Sequence, residues 1–260
     1  MTGSSEDFPV GGEKTAGKAP SETSLLPLDR VDVWIISLCE TASRPDSARW
    51  LSADERARGE RFVFERDRRR FWLGRGALRG ILASYLRCDP VEIAFAYGDS
   101  GKPRLAGADS AVDLQFNASG SADLAVCAVT CGRSVGVDIE QVRHDCDQDL
   151  VRHSFSAIER AEFARIPADQ QAAAFYRTWT RKEAYLKATG CGLSRPLASF
   201  SVSVTPGDSP CLIRDESDPK AHQSWSFADV DTAQGWVGSL VLAGQSRSLR
   251  RLEWNGKSRD

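Results

Sequence analysis

The chain has 260 residues and a formal net charge of −2, with 34 basic against 36 acidic side chains. That length suits one large domain or two of ordinary size, and the near-neutral balance argues against a general nucleic-acid binder, which carries a basic excess. Seven cysteines without a CxxC pair and only three histidines argue against a zinc site and fit reduced thiols in a cytoplasmic protein.

Residues 1–24 are Gly, Ser, Thr, Glu, Lys and Pro with few large apolar side chains, which predicts a disordered leader with no secretory signal. No later stretch is apolar for long enough to span a membrane. Val31, Val33 and Ile35 alternate with Trp34 on the other face, an early strand. Ser52 followed by Glu55 at the third position reads as a capping box opening a helix. A long helix is expected from Asp67 to Leu86, with Phe71, Leu78, Leu82 and Tyr85 as its apolar stripe, ended by Cys88-Asp89-Pro90. Short strands follow at Ile93–Tyr97, Leu114–Asn117 and Ala122–Val129, divided by Gly-Asp-Ser-Gly-Lys-Pro and Ser-Gly-Ser turns. The polar break at Cys131–Ser134 divides an N-terminal half, 25–132, from a C-terminal half, 133–244. The second half runs strand, helices at about 155–165 and 169–189, then strands near 199–204, 224–230 and 234–242. Each half is thus a helix on a small, mainly antiparallel sheet, an α+β arrangement. Aromatic pairs on the two long helices, Phe71-Trp72 and Tyr176 to Trp179, hint at an internal duplication. Residues 245–260 read as a polar tail in which Leu252 and Trp254 can pack.

Two segments concentrate chemistry. In Gly136-Val137-Asp138-Ile139-Glu140, a strand, residues two apart share a face, so Asp138 and Glu140 project together. In Trp179-Thr180-Arg181-Lys182-Glu183-Ala184-Tyr185-Leu186-Lys187, a helix without Gly or Pro, Glu183 and Lys187 share a face at a spacing of four. Three oxygen ligands with open positions suit Mg²⁺, completed by waters or substrate phosphates, and a lysine one turn beyond a ligand can meet a phosphate. Metal-assisted phosphoryl transfer is the chemistry this implies. Taken alone, each motif also has a plainer reading: solvated strand surface for Asp138 and Glu140, an ordinary helix ion pair for Glu183 and Lys187.

Together with their surroundings, these segments resemble the Sfp-type 4′-phosphopantetheinyl transferases. The likeness runs in order from Ser52 to Val202, through Asp67-Arg68-Arg69-Arg70-Phe71, Gly101-Lys102-Pro103, Phe116-Asn117-Ala118-Ser119, Gly136 to Glu140, Phe155-Ser156-Ala157-Ile158-Glu159, Trp179 to Lys187, and Pro196-Leu197 with Phe200. The resemblance implies two similar halves related by a pseudo-twofold, coenzyme A and Mg²⁺ (or Mn²⁺) in the cleft between them, and a monomer. It implies transfer of the 4′-phosphopantetheine arm from coenzyme A to a serine of an apo acyl or peptidyl carrier domain, with release of 3′,5′-ADP. Nucleic acid and membrane are not expected partners. Asp138, Glu140 and Glu183 map to the metal ligands, Glu183 to the base that takes the serine proton, and Lys187 to a group that steadies the phosphate. Lys102 with Pro103, Arg58, Arg70, Ser119 and Asp138 map to coenzyme A binding, with Ser119 in a loop touching the 3′-phosphate. Glu159 recurs in the family and is expected to orient the metal site or a lysine.

The sequence departs from the family at Gly120, where a histidine for the 3′-phosphate is normal. Three ways remain open: a nest of backbone N–H groups, a substituting arginine, or weak coenzyme A binding. Glu55 stands where relatives can carry lysine, which takes a cation from the nucleotide side. The competing readings are a non-catalytic carrier-binding or coenzyme-A-binding relative, and a nucleic-acid binder built on the nine arginines between positions 56 and 79.

Overall fold

The computed structural model describes residues 26–39, 47–98, 101–106, 113–144, 146–192, 195–245 and 248–256; the expected leader at 1–24 lies outside the described residues. Strand β1 (Arg30–Ser37) is followed by helices α1 (Ala53–Gly59) and α2 (Glu65–Leu86), a small hairpin of β2 (Phe95–Tyr97) and β3 (Pro103–Leu105), and strands β4 (Leu114–Ser121) and β5 (Leu124–Cys131). The second half holds β6 (Val135–Gln141), α3 (Gln148–Ser154), α4 (Ala157–Phe163), α5 (Ala168–Thr189), β7 (Phe200–Val202), β8 (Leu212–Asp215), β9 (Trp225–Val230) and β10 (Trp236–Ala243). A last strand, β11 (Ser248–Glu253), runs back to the first half. The two larger sheets have the orders β11-β1-β5-β4 and β6-β10-β9. All pairs are antiparallel except β1 with β11.

Side-chain alternation explains the layering. In β1, Trp34 and Ile36 face α2, meeting Leu78, Ile81 and Leu82 in one core. Val31, Val33 and Ile35 face the other way, onto Val135, Val137 and Ile139 of β6 and Leu240 and Leu242 of β10. Val241, one residue out of step in β10, turns instead toward Tyr185 and Leu186 of α5. The order through the molecule is therefore helix, sheet, sheet, helix. Strands buried on both faces read as continuous apolar runs, as in β5, where every residue is buried.

Two expectations need correction. Ser119-Gly120-Ser121 is not a turn: β4 continues through it, and the chain reverses at Ala122-Asp123, between the paired Ser121 and Leu124. Ala122 takes the left-handed conformation at φ 46°. The supposed tail at 245–260 contains β11, which extends the first sheet beside β1 and drives Leu252 and Trp254 into the first core. Its polar appearance comes from Arg250 and Arg251. Arg250 is consumed by an ion pair at 2.7 Å with Asp32, itself fully buried.

A stronger sign of duplication than the aromatic pairs lies in two matched clasps. Ser52 and Ser156 each cap a short helix, and in each box the glutamate three residues on, Glu55 or Glu159, returns a bond to the cap amide. Each glutamate also holds a cation of the following long helix. Glu55 meets Arg75 and Arg79, both at 2.6 Å, and Glu159 meets Lys182 with both oxygens at 2.7 Å. Arg79 donates onward to the carbonyls of Pro90 and Ile93, and Lys182 to that of Phe200, so each cation also ties down the chain that follows its helix. Burial would raise the Glu55 carboxyl, but Arg75 and Arg79 outweigh it and hold it below the ordinary range.

Glu55 is thus committed to the fold through Arg75 and Arg79. Glu55→Lys would set three cations together at a buried point. It is expected to destabilise the protein by about 3–5 kcal/mol, read as a lower urea midpoint, and to bring no gain in ligand affinity.

Candidate active site

Strand β6 and helix α5 carry the carboxylates, and a glycine lets them meet. At Gly136, an added Cβ would fall well inside contact with the Ala184 carbonyl and the Ala188 amide of α5. With no side chain there, the helix backbone lies directly on the strand. Asp138 and Glu140, on the same face as Gly136, then sit beside Glu183 and Lys187.

The Lys187 ammonium reaches Asp138 Oδ1 at 2.6 Å, Ser119 Oγ at 2.9 Å and the Val137 carbonyl at 3.3 Å. Ser119 donates to the same Asp138 oxygen at 2.7 Å. The other oxygen, Oδ2, is buried and has no partner. Two residues along both strands the pattern recurs: Ser121 donates to Glu140 Oε2 at 2.7 Å and accepts from the Gln141 amide at 3.1 Å. Asn117, two residues before Ser119, accepts from the Val137 amide at 2.8 Å. From Asn117 onward every second side chain of β4 therefore bonds to β6, although the two strands belong to different sheets.

The electrostatics are unbalanced. Burial raises the Glu183 carboxyl, and the charges of Asp138 and Glu140 raise it further against the pull of Lys187. Burial likewise raises Glu140, with Asp138 adding to the effect and the Ser121 hydroxyl opposing it. One lysine faces three carboxylates, an excess of negative charge that a divalent cation would relieve. The donor chemistry fits a hard ion: carboxylate oxygens throughout, with Asp138 Oδ2 buried and without a donor. Among the described residues, however, no group of three or more His, Cys, Asp or Glu side chains is already drawn into a metal-ligating cluster. Lys187 occupies one oxygen of Asp138.

Beside them opens a cavity of about 300 Å³ whose lining includes Lys102, Pro103, Asn117, Glu183, Lys187 and Gly190. Lys102 reaches across from the β2–β3 hairpin to donate to the carbonyls of Lys187 at 2.6 Å and Val135 at 3.1 Å. Burial, with the neighbouring Lys187 charge, pushes its ammonium down to about 8.

Of the residues singled out in the sequence, Lys102, Pro103, Glu183 and Lys187 line this cavity, and Ser119 and Asp138 are bonded to Lys187 behind it. Glu140 joins through its strand neighbour Asp138. Ser119 lies on β4, not in a loop, and its hydroxyl is taken by Asp138 and Lys187. Gly120 is exposed and paired opposite Ala125 in a regular ladder, so a nest of backbone amides is not what the glycine provides. A Cβ there would meet Ala125 Cβ at an ordinary 3.4 Å. Arg58 and Arg70 do not line the cavity. Arg58 lies 5.5 Å over the Phe71 ring, and Arg70 is bound at the hairpin tip by Asp123 at 2.6 Å and by Asp67 at 3.4 Å. Glu159 orients a lysine, Lys182. Sequence reasoning passed over Asn117 and Ser121; the signal was the Asn-x-Ser-x-Ser period of two, matching Asp-x-Glu on the partner strand.

Two family profiles match this chain. The 4′-phosphopantetheinyl transferase superfamily profile covers residues 134–242, and the profile described as 4′-phosphopantetheinyl transferase, N-terminal, covers 43–132. Among curated proteins, the chain is 37% identical over 229 residues to the 4′-phosphopantetheinyl transferase HetI of Nostoc sp., a match spanning 87% of this chain and 92% of that protein. It is 30% identical over 181 residues to the 4′-phosphopantetheinyl transferase Sfp of Bacillus subtilis, spanning 65% of this chain and 79% of the relative.

The contact at Gly136 gives a direct check on how the site is held. Gly136→Ala is expected to lever α5 from β6 and lower stability by about 3 kcal/mol, measured by urea denaturation. An unchanged midpoint would mean that the helix does not rest on this strand.

Proposed function

The chain belongs to the 4′-phosphopantetheinyl transferase superfamily, and we propose that it transfers the 4′-phosphopantetheine arm of coenzyme A to a serine of an apo carrier domain, with Mg²⁺ at Asp138, Glu140 and Glu183 and with 3′,5′-ADP as the leaving product. The observation that carries this reading is that Lys187, ion-paired with the buried Asp138 at 2.6 Å, lines one cavity together with Glu183 and Lys102. When bound, Mg²⁺ would neutralise charge on the pyrophosphate as the bond to the leaving phosphate loosens.

The chain's own residues supply the rest. Glu183, raised by burial and by its carboxylate neighbours, is suited to take the proton of the incoming serine hydroxyl. Lys102 has three N–H donors and uses two on backbone carbonyls, which leaves one for a phosphate oxygen of coenzyme A. All three donors of Lys187 are engaged, so it meets a phosphate by giving up its longest bond, at 3.3 Å to Val137. Asp138 fixes Lys187 in place and offers its unpartnered Oδ2 to the cation. Both halves come from one chain, which supports a monomer. Among the described residues no helix is long and apolar enough to cross a membrane.

Intact-protein mass spectrometry of apo carrier domains incubated with the protein, coenzyme A and Mg²⁺ should show the mass of one phosphopantetheine arm gained. EDTA or Asp138→Asn should abolish the gain. No gain on any carrier, or a gain indifferent to EDTA, would refute the reading.

A pH dependence follows from Lys102. A lysine holds its charge below its pKa and loses it above, so phosphate binding weakens as pH rises through about 8. The kcat/KM for coenzyme A should fall over that range, because it reports the free enzyme. In Lys102→Arg, whose guanidinium stays charged, that fall should disappear. A profile shared by the wild type and Lys102→Arg would assign the titration elsewhere.

A further inference from the structure

We propose that Ser121 is a positioning residue for Glu140, so that the first half of the chain sets the geometry of a carboxylate supplied by the second. The inference rests on the reading of Asp138, Glu140 and Glu183 as a divalent-cation site. Its own evidence is the hydrogen bonding around one hydroxyl. Ser121 Oγ accepts from the Gln141 amide at 3.1 Å, which occupies a lone pair and fixes the rotor. The proton is then directed at Glu140 Oε2, 2.7 Å away. An identical logic holds two residues earlier, where Ser119 accepts from Lys187 and must give its proton to Asp138 Oδ1.

Glu140 needs such a constraint. It is half-buried beside the like charge of Asp138, and Arg143 also attracts it. Asp138 repels it while Lys187 and Arg143 both attract it, and none of these charges is directional, so the Ser121 hydrogen bond is what fixes the aim of the carboxylate. Ser121 is itself held in place, because it closes β4 in register with Leu124 at the head of the hairpin. A rigid donor on one sheet therefore sets the aim of an acceptor on another. Groups that orient a metal ligand in this way typically change metal affinity 10–100-fold when removed.

The test is Mn²⁺ titration of the full-length protein saturated with coenzyme A, with free Mn²⁺ followed by electron paramagnetic resonance. Ser121→Ala should weaken Mn²⁺ binding by about 10–100-fold, while Ser121→Thr, which keeps the hydroxyl and suits a strand, should stay close to wild type. In a Glu140→Ala background, Ser121→Ala should add nothing, since no carboxylate remains to be aimed. A purely structural serine, acting only through the Gln141 amide, would weaken binding equally in both backgrounds and would overturn the proposal. Unchanged Mn²⁺ affinity in Ser121→Ala, with binding still lost in Asp138→Asn, would overturn it alone. No Mn²⁺ binding by the wild type, or none lost in Asp138→Asn, would overturn both the cation site and the role of Ser121.

Discussion

Strands β4 and β6 lie side by side without a shared ladder, and what joins them is side chain to backbone and side chain to side chain. Asn117 satisfies the Val137 amide, Ser121 satisfies the Gln141 amide, and between them Ser119 and Ser121 hold two carboxylates. Behind this polar line runs the apolar layer of β1 and β5 against β6 and β10. The layer supplies most of the attraction between halves, being non-directional and proportional to area. It cannot choose a register, because sliding valine over valine by two residues costs little. The polar line can. A slip of two would break the present bonds of Asn117, Ser119 and Ser121 and leave one of the two carboxylates without a hydroxyl, and a buried group so stranded costs roughly 1–3 kcal/mol. The site therefore lies on the structure that fixes how the halves meet.

The paired clasps do a related task within each half. A buried ion pair contributes little net stability, since desolvation consumes much of the Coulomb gain. Its effect here is on direction. Glu55 ties the short helix α1 to α2 and, through Arg79, to the segment leading to β2. Glu159 ties α4 to α5 and, through Lys182, to β7. The separation from glutamate to cation is 24 residues in one half and 23 in the other. The two halves share this device although one cation is arginine and the other lysine, and an acid and a base buried together cannot be replaced one at a time.

These distinctions mark what was legible in the sequence. Apolar alternation marks β1 and β6, a stripe at helical spacing marks α2, and a run of helix formers without Gly or Pro marks the site segment of α5; in β6 the alternation also places Asp138 and Glu140 on one face. Both features are local, and burial rewards each residue separately. The hairpin at 119–123 was misread because glycine between serines is a turn signal in isolation; only partners on β6 make the extended form favourable. Strand β11 was read as a tail for a similar reason, since Arg250 becomes acceptable only opposite the buried Asp32. Strand β8 and helix α3, both short, gave no periodic signal. At the site, the carboxylates and lysines were named from motif, but their surroundings were not. That Ser119 belongs to Asp138, that Lys102 spans to α5, and that Arg70 is taken by Asp123 all depend on contacts more than 15 residues apart in the chain.

The same long-range contacts account for a tension within the site. Three carboxylates and one ammonium at the end of a buried layer oppose folding, since burial and mutual repulsion raise both Glu140 and Glu183. Such strain persists only where the surroundings over-determine it, and here three interlocking constraints do so: Gly136 beneath α5, the serines of β4, and Lys187 locked by three bonds, one of them to Ser119. Each holds a charged group where burial makes it costly, which on the proposed reading a cation and a phosphate would offset. Raised carboxyls are also the better bases near neutral pH. On the proposed reading, in which Glu183 takes the serine proton, burial first and repulsion by Asp138 second supply its basicity, and relieving them by substitution would be expected to trade reactivity for stability.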